Sequence, residues 1–211
     1  MTGSNANNDL GERSEVAPVP VSGKVRRHLT PEEVDRLRIA AKRSSFYGHR
    51  DMTLVMLMAA HGLRVSEAID LRWDDIHLET ASRGSTIYVR RRKRGNASTH
   101  PLCGPEVRAL RKLREEWPEN GGFVFVSERG GPMTDSNVRK LIARLGRDAG
   151  LRFPVHPHML RHAAGYRLVN QPGVNLRTIQ DFLGHRNVSN TVWYTTLTEQ
   201  AFKHLEPAFR E

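Results

Sequence analysis

The run Arg50-Asp-Met-Thr-Leu-Val-Met-Leu-Met-Ala-Ala-His61, followed by Gly62, is apolar nearly all the way round a helical wheel. A helix of that kind has no solvent face, so it has to be wrapped by other elements, and Gly62 is placed to stop it. It is also too short to span a bilayer, which needs roughly 20 apolar residues. The chain is therefore expected to fold as helices packed around this one. No longer apolar run and no hydrophobic signal core occurs elsewhere in the 211 residues, so a soluble, cytoplasmic protein without a membrane partner is expected. That length suits one domain, or one domain plus a tail.

The flanking sequence supplies the wrapping. "LTPEEVDRL" starts a helix with Thr30 as N-cap, Pro31 at the first position and Glu33 closing a capping box, and the helix should run to about Arg43. After Gly62, "VSEAIDLRW" reads as a short helix capped by Ser66. "STIYVR" alternates, and "ASTHPL" can pair with it across the turn at Gly95-Asn96, giving a hairpin with a basic tip. Further helices are expected at about 104–116, 134–149, 158–170 and 175–183, with "FVFV" (residues 123–126) a short strand between the first two and Gly184 a C-cap. The fold class is thus mainly α with a small antiparallel sheet. Residues 1–28, with "APVPVSG" near their end, lack periodicity and read as a flexible tail. Residues 29–211 form the globular part.

Charge narrows the partner. Lys and Arg number 33 against 23 Asp and Glu, a net +10, which points to a polyanion: nucleic acid or an anionic surface. The single cysteine, Cys103, excludes an internal disulfide and a cysteine-rich zinc site, and is expected as a small buried or half-buried thiol.

Four constellations carry possible chemistry. In "HPHMLRH" (residues 156–162), His158, Arg161 and His162 stand at i, i+3 and i+4 at the start of a helix. Zinc is disfavoured there, because a permanent guanidinium sits between the imidazoles and no carboxylate or thiolate is at hand. A phosphate cradle and an ordinary surface helix start both remain open. In "GLRVSE", Arg64 either reaches into a cleft, steadied by Glu67, or forms a capping ion pair with it. "RRRKRG" (residues 90–95) offers Arg90, Arg91, Arg92 and Arg94 as contacts to a nucleic-acid backbone, with Lys93 the one member able to give up a proton. In "FLGHRNVSNTVWYT", His185 follows the helix end and Tyr194 comes nine residues later.

Taken in order, Arg64, the hairpin Lys93, His158-x-x-Arg161, Leu-Gly-His185 and Tyr194 resemble the series of the tyrosine recombinase (phage integrase) family. The resemblance covers about residues 29–197. "HPHMLRH", "LGHRN" and "TVWYT" are its most specific parts. With "STHPLCGPEVRAL" and the compact length, the chain is most similar to the fimbrial phase-variation recombinases of that family.

The resemblance implies the fold of the tyrosine recombinase (DNA breaking-rejoining) catalytic domain over residues 29–211, with no separate core-binding domain. It implies a site-specific DNA recombinase, integrating, excising or inverting, that works through a 3′-phosphotyrosyl link. Type IB topoisomerase-like relaxation, or a non-catalytic DNA-binding regulator on the same scaffold, is the alternative. Arg64, Lys93, His158, Arg161, His185 and Tyr194 become the catalytic residues, with Arg64 and Arg161 binding the phosphate and Tyr194 the nucleophile. No metal, cofactor or ATP is implied. The implied partners are double-stranded DNA, a homo-tetramer on paired sites and accessory DNA-bending proteins. Residues 198–211, with Ala201, Phe202 and Leu205 continuing an apolar stripe, either pack on their own domain or dock on a neighbouring protomer.

Overall fold

Thr30 starts the first helix by accepting a hydrogen bond from the Glu33 N–H at 3.3 Å, while the Glu33 carboxylate accepts from the Thr30 N–H at 2.9 Å. This capping box starts helix α1 (Pro31–Arg43), which buries Leu37 and Ala41. The structure is a computed structural model and describes residues 27–44, 46–80, 84–91, 96–118 and 121–185.

The apolar run forms α2 (Gly48–His61), with Leu54, Val55, Leu57 and Met58 fully buried. It is the centre of the fold. Helices α1, α4 (Gly104–Glu116) and α6 (Pro157–Val169) all pack against it. Gly62 ends α2 at φ 60°, the left-handed conformation a glycine adopts without penalty. A Cβ there would also stand 2.5 Å from Leu183 Cδ2. Space as well as conformation therefore demands glycine, and the tight turn brings residues 62–64 against the end of α7 (Leu176–Leu183).

Helix α3 (Val65–Ile69) follows at once. Its N-cap is Arg64 rather than the expected Ser66. The Glu67 carboxylate accepts the Arg64 backbone N–H at 2.9 Å, so a carboxylate at the third position does the work expected of a serine at the cap. Helix α5 (Asp135–Asp148), capped by Thr134, packs on α1, α3 and α6.

The sheet is three-stranded and antiparallel, ordered β1 (Ile76–His77), β2 (Thr86–Val89), β3 (Ser98–Pro101). Tyr88 pairs with Thr99 and Val89 with Ser98, so the two expected segments do pair, and Ile87 and Val89 point inward. Residues 123–126 do not form the expected strand. Phe123 and Val126 make only isolated bridges, to Arg72 and Pro132, because Leu71 O and Gly122 O divert the local hydrogen bonds toward the 71–73 segment. Cys103 is another correction: it is exposed, because it occupies the N-cap position of α4, where its N–H is satisfied by Glu106 at 2.8 Å.

Residues 1–26 and 186–211, including the tail expectations at both ends, lie outside the described residues. No described helix is long and apolar enough to cross a membrane.

Candidate active site

The site begins with a carboxylate that the fold has buried. Glu67, its side chain 1 % exposed, places Oε1 2.6 Å from the Arg64 guanidinium and Oε2 2.7 Å from that of Arg91, with Arg161 at 3.9 Å. Burial alone would raise its pKa. The charge of Arg91, the Arg64 N–H and the charges of Arg64 and Arg161 outweigh burial and hold it below the ordinary carboxylate value. The group is therefore an anion among three permanent cations, and among the described residues the cluster carries a surplus of two positive charges. A surplus of cations out of water is costly unless an anion joins it. A phosphodiester has the charge and the acceptor geometry to do so.

Each guanidinium reaches the cluster for a local reason. Arg64 is carried by the turn after α2 and forms the capping ion pair with Glu67 while keeping its side chain 30 % exposed. Arg161 projects from the first turns of α6 into the interior at 2 % exposure, donating to Gly62 O and Leu183 O. Arg91 corrects an expectation. It was to lie with its neighbours on a DNA-facing hairpin tip, yet its side chain is fully buried, donating to Glu67 and to Phe182 O. The alternation of β2 explains this. Val89 faces in, Arg90 out and Arg91 in again, so the strand's inward face continues one residue past its last ladder bond. Arg90, on the outer face, pairs with Asp75 at 2.7 Å.

Two of these arginines also build the His185 corner. The last carbonyls of α7 are the negative end of its dipole, and Arg91 and Arg161 occupy it through Phe182 O and Leu183 O. Gly184 then turns at φ 61°, and a Cβ there would meet Arg91 Cδ at 2.8 Å. His185 is fixed by its N–H to Gln180 O at 2.9 Å and by Gln180 Nε2 to its own carbonyl at 3.0 Å. Burial, then the charges of Arg161, Arg64 and Arg91, push its imidazole down to about 3, so it is neutral and able to donate one N–H.

His158 stands on the α6 face expected for it, edge-on to His162 with ring centroids 5.3 Å apart. Burial and then the Arg161 charge lower its pKa, with His156 and Arg64 adding to the effect. Burial, followed by His158, takes His162 to about 4. Among the described residues no group of three or more His, Cys, Asp or Glu is arranged to hold a metal ion.

The structure thus brings Arg64, Arg161, His158 and His185 into one electrostatic neighbourhood. Lys93, Arg92, Arg94 and Tyr194 lie outside the described residues. Sequence reasoning gave Glu67 only the role of steadying Arg64 and put Arg91 on the wrong side. The strand alternation through Arg91 was the available signal for the second.

These histidines set a pH dependence. Unfolded imidazoles titrate near 6.5, while His162 and His185 stay neutral in the fold down to about 4 and about 3. Between those values the unfolded chain binds more protons, so stability is full above about pH 6.5 and falls as the pH drops below it. Urea midpoints measured from pH 7.5 to pH 5 should decline. A flat profile would contradict neutral burial of these rings.

The comparisons with known proteins agree with one another. The family model described as "Phage integrase family" matches residues 27–201. The type 1 fimbriae regulatory protein FimB of Escherichia coli K12 is 40 % identical over 176 residues, covering 82 % of this chain and 85 % of FimB. The crystal structure of XerA recombinase superposes with a TM-score of 0.73 at 27 % identity, over 90 % of this chain and 67 % of XerA. That of XerH site-specific recombinase bound to its difH substrate gives 0.68 at 26 % identity, over 84 % of this chain and 52 % of XerH.

Proposed function

Because the chain belongs to the phage integrase family, we propose that it is a site-specific tyrosine recombinase that cleaves and rejoins DNA strands through a 3′-phosphotyrosyl intermediate. The observation that carries this reading is the buried Glu67 with its three guanidiniums. Its two-charge surplus is suited to one phosphodiester, and the neutral imidazole of His185 stands in the same field.

In the proposed reaction the Tyr194 oxygen attacks the scissile phosphorus, the P–O5′ bond breaks, and the 5′-oxygen leaves as a hydroxyl. Arg64 offers an exposed fork to the non-bridging oxygens, Arg161 contributes its charge from the interior, and His185 donates an N–H. Each such donor is worth on the order of 2–4 kcal/mol to a transition state that gathers negative charge. His158 accepts the tyrosine proton or supports the phosphate, and Lys93 protonates the leaving oxygen. Rejoining reverses these steps with a new 5′-hydroxyl. The phosphotyrosyl bond conserves the energy of the phosphodiester, so no ATP enters, and the arginines supply the charge that a metal supplies in other nucleases.

Double-stranded DNA is the partner. On paired sites we place a homo-tetramer, formed over a catalytic domain of residues 29–211 with residues 198–211 docking between protomers, and accessory proteins that bend the site. Arg90, Arg92 and Arg94 remain the candidates for backbone contacts. The test is a DNA carrying two copies of the site, incubated with the protein in EDTA. Exchange of flanking sequence is expected. Relaxation of supercoils without exchange would replace the proposal with a topoisomerase activity, and binding without cleavage would replace it with a regulator.

The role of Lys93 has its own assay. A 5′-bridging phosphorothiolate leaves as a thiolate and needs no proton, so it should restore cleavage to Lys93→Ala. If cleavage stays lost on that substrate, another group is the acid.

A further inference from the structure

A second buried polar cluster lies behind the site and has no part in the chemistry above. His61, the last residue of α2, is 3 % exposed. His100 on β3 is 1 % exposed, and Glu106 in the first turn of α4 is 4 % exposed. The two imidazoles face each other, Nδ1 to Nδ1, at 3.2 Å. His61 Nε2 lies 3.3 Å from Glu106 Oε1. His100 Nε2 lies 2.8 Å from Ser98 Oγ. The face of the His100 ring is stacked on Phe182, centroid to centroid 3.8 Å, at 17°.

Proton accounting orders this cluster. Two Nδ1 atoms in contact share one proton, since N–H against N–H would leave both donors without an acceptor in the interior. Burial, then the charges of His61 and Arg91, lower His100 to about 3. His100 is therefore neutral with a single ring proton, and each of its ring nitrogens has a partner, His61 Nδ1 on one side and Ser98 Oγ on the other. With both edges of its ring engaged, His100 has one orientation, and that orientation presents its flat face to Phe182.

The location of the cluster decides what it can do. His61 lies three residues before Arg64, and Phe182 three residues before His185. The Phe182 carbonyl is also an acceptor for Arg91. The stack therefore ties the end of α2, β3 and the end of α7 at one point, and the two helix ends each lead within three residues to a proposed site residue: Arg64 and His185. Resting on the reading of His185 given above, we propose that His61 and His100 are positioning residues, which hold the end of α7 through Phe182 so that the His185 imidazole meets the phosphate gripped by Arg64.

Two variants of the full chain test this. His100→Phe keeps an aromatic face toward Phe182 and loses both hydrogen bonds. Phe182→Leu keeps burial and loses the stack. Covalent adduct formation is followed in a single turnover at saturating nicked DNA, alone and in a His185→Ala background. Each variant should cleave about tenfold more slowly with DNA affinity within about twofold, because a misplacement on the order of 1 Å costs rate more than binding. In the His185→Ala background the same changes should add less than about twofold, since they act through the residue already removed. Equal losses in both backgrounds would make the cluster merely structural and overturn the inference, as would full-rate cleavage by the single variants. Should His100→Phe lack a cooperative thermal transition, Phe182→Leu decides alone. A His185→Ala protein that cleaves at the unmodified rate would overturn the reading of His185 itself, and this inference with it.

Discussion

Tyr194→Phe is expected to leave DNA binding unchanged and to abolish the covalent protein–DNA adduct. The phenylalanine retains the ring and removes only the oxygen that would become bonded to phosphorus, so the loss isolates nucleophilic attack from packing. A phenol is a poor nucleophile at neutral pH, with a pKa near 10. In the proposed reaction, the two-charge surplus around Glu67 would favour the phenolate and stabilise the negative charge that attack brings onto the phosphate. Without the oxygen, this electrostatic arrangement has nothing to activate. The cleavage rate should fall by at least about 10⁴-fold, the scale on which enzymes lose activity with their nucleophile. A nicked substrate that traps the intermediate makes the measurement direct. An adduct persisting in Tyr194→Phe would assign the attack to another residue.

The largest effect on stability is expected from Glu67→Ala. Among the described residues the carboxylate is the acidic partner the three arginines share, facing Arg91 at 2.7 Å with both side chains essentially without exposure. Its removal strands a buried guanidinium and leaves a second, Arg161, beside it. Breaking a buried pair in this way costs about 3–5 kcal/mol, much of it the penalty of the charge left behind. It also removes the acceptor that caps α3 through the Arg64 N–H. Because the missing component is an anion, added inorganic phosphate should recover part of the loss in the variant and do less for the unmodified protein. Urea unfolding with and without phosphate gives both numbers. A loss under about 1 kcal/mol would mean that the arginines separate and reach water once Glu67 is gone.

Much of the architecture was legible from short-range rules. The Thr30–Pro31–Glu33 start, the apolar α2 with Gly62 behind it, the α4 boundaries and the Gly184 cap are encoded within a turn or two of the residues concerned, and the structure has them where those rules put them. That residues 86–89 and 98–101 pair was legible from alternation in the same way. The errors occur where a distant segment overrides a local preference. Ser66 is a better cap than Arg64 by intrinsic ranking, but the Glu67 carboxylate, held in place by Arg91 from a strand 24 positions away, takes over the Arg64 N–H. Residues 123–126 have strand-forming side chains, but their hydrogen-bonding partner is the irregular 71–73 segment rather than a ladder.

The site divides along the same line. Spacing within the chain offered Arg64, His158, Arg161 and His185 only as candidates, and it was their order with Lys93 and Tyr194 that pointed to the family. By itself the sequence determined the helices and, through motif order, the family and the candidate side chains for its chemistry, because capping, periodicity and motif spacing act over a few residues. Only the tertiary structure decided that Arg91 turns inward, that Glu67 collects three guanidiniums, and that His61, His100 and Phe182 form one stack. Those pairings join residues up to about a hundred positions apart, and their energies come from burial: a charge–charge contact worth little at the surface becomes decisive once water is excluded. No local pattern reports which side chains will be desolvated together, and that shared desolvation is what makes the cluster a place for an anion.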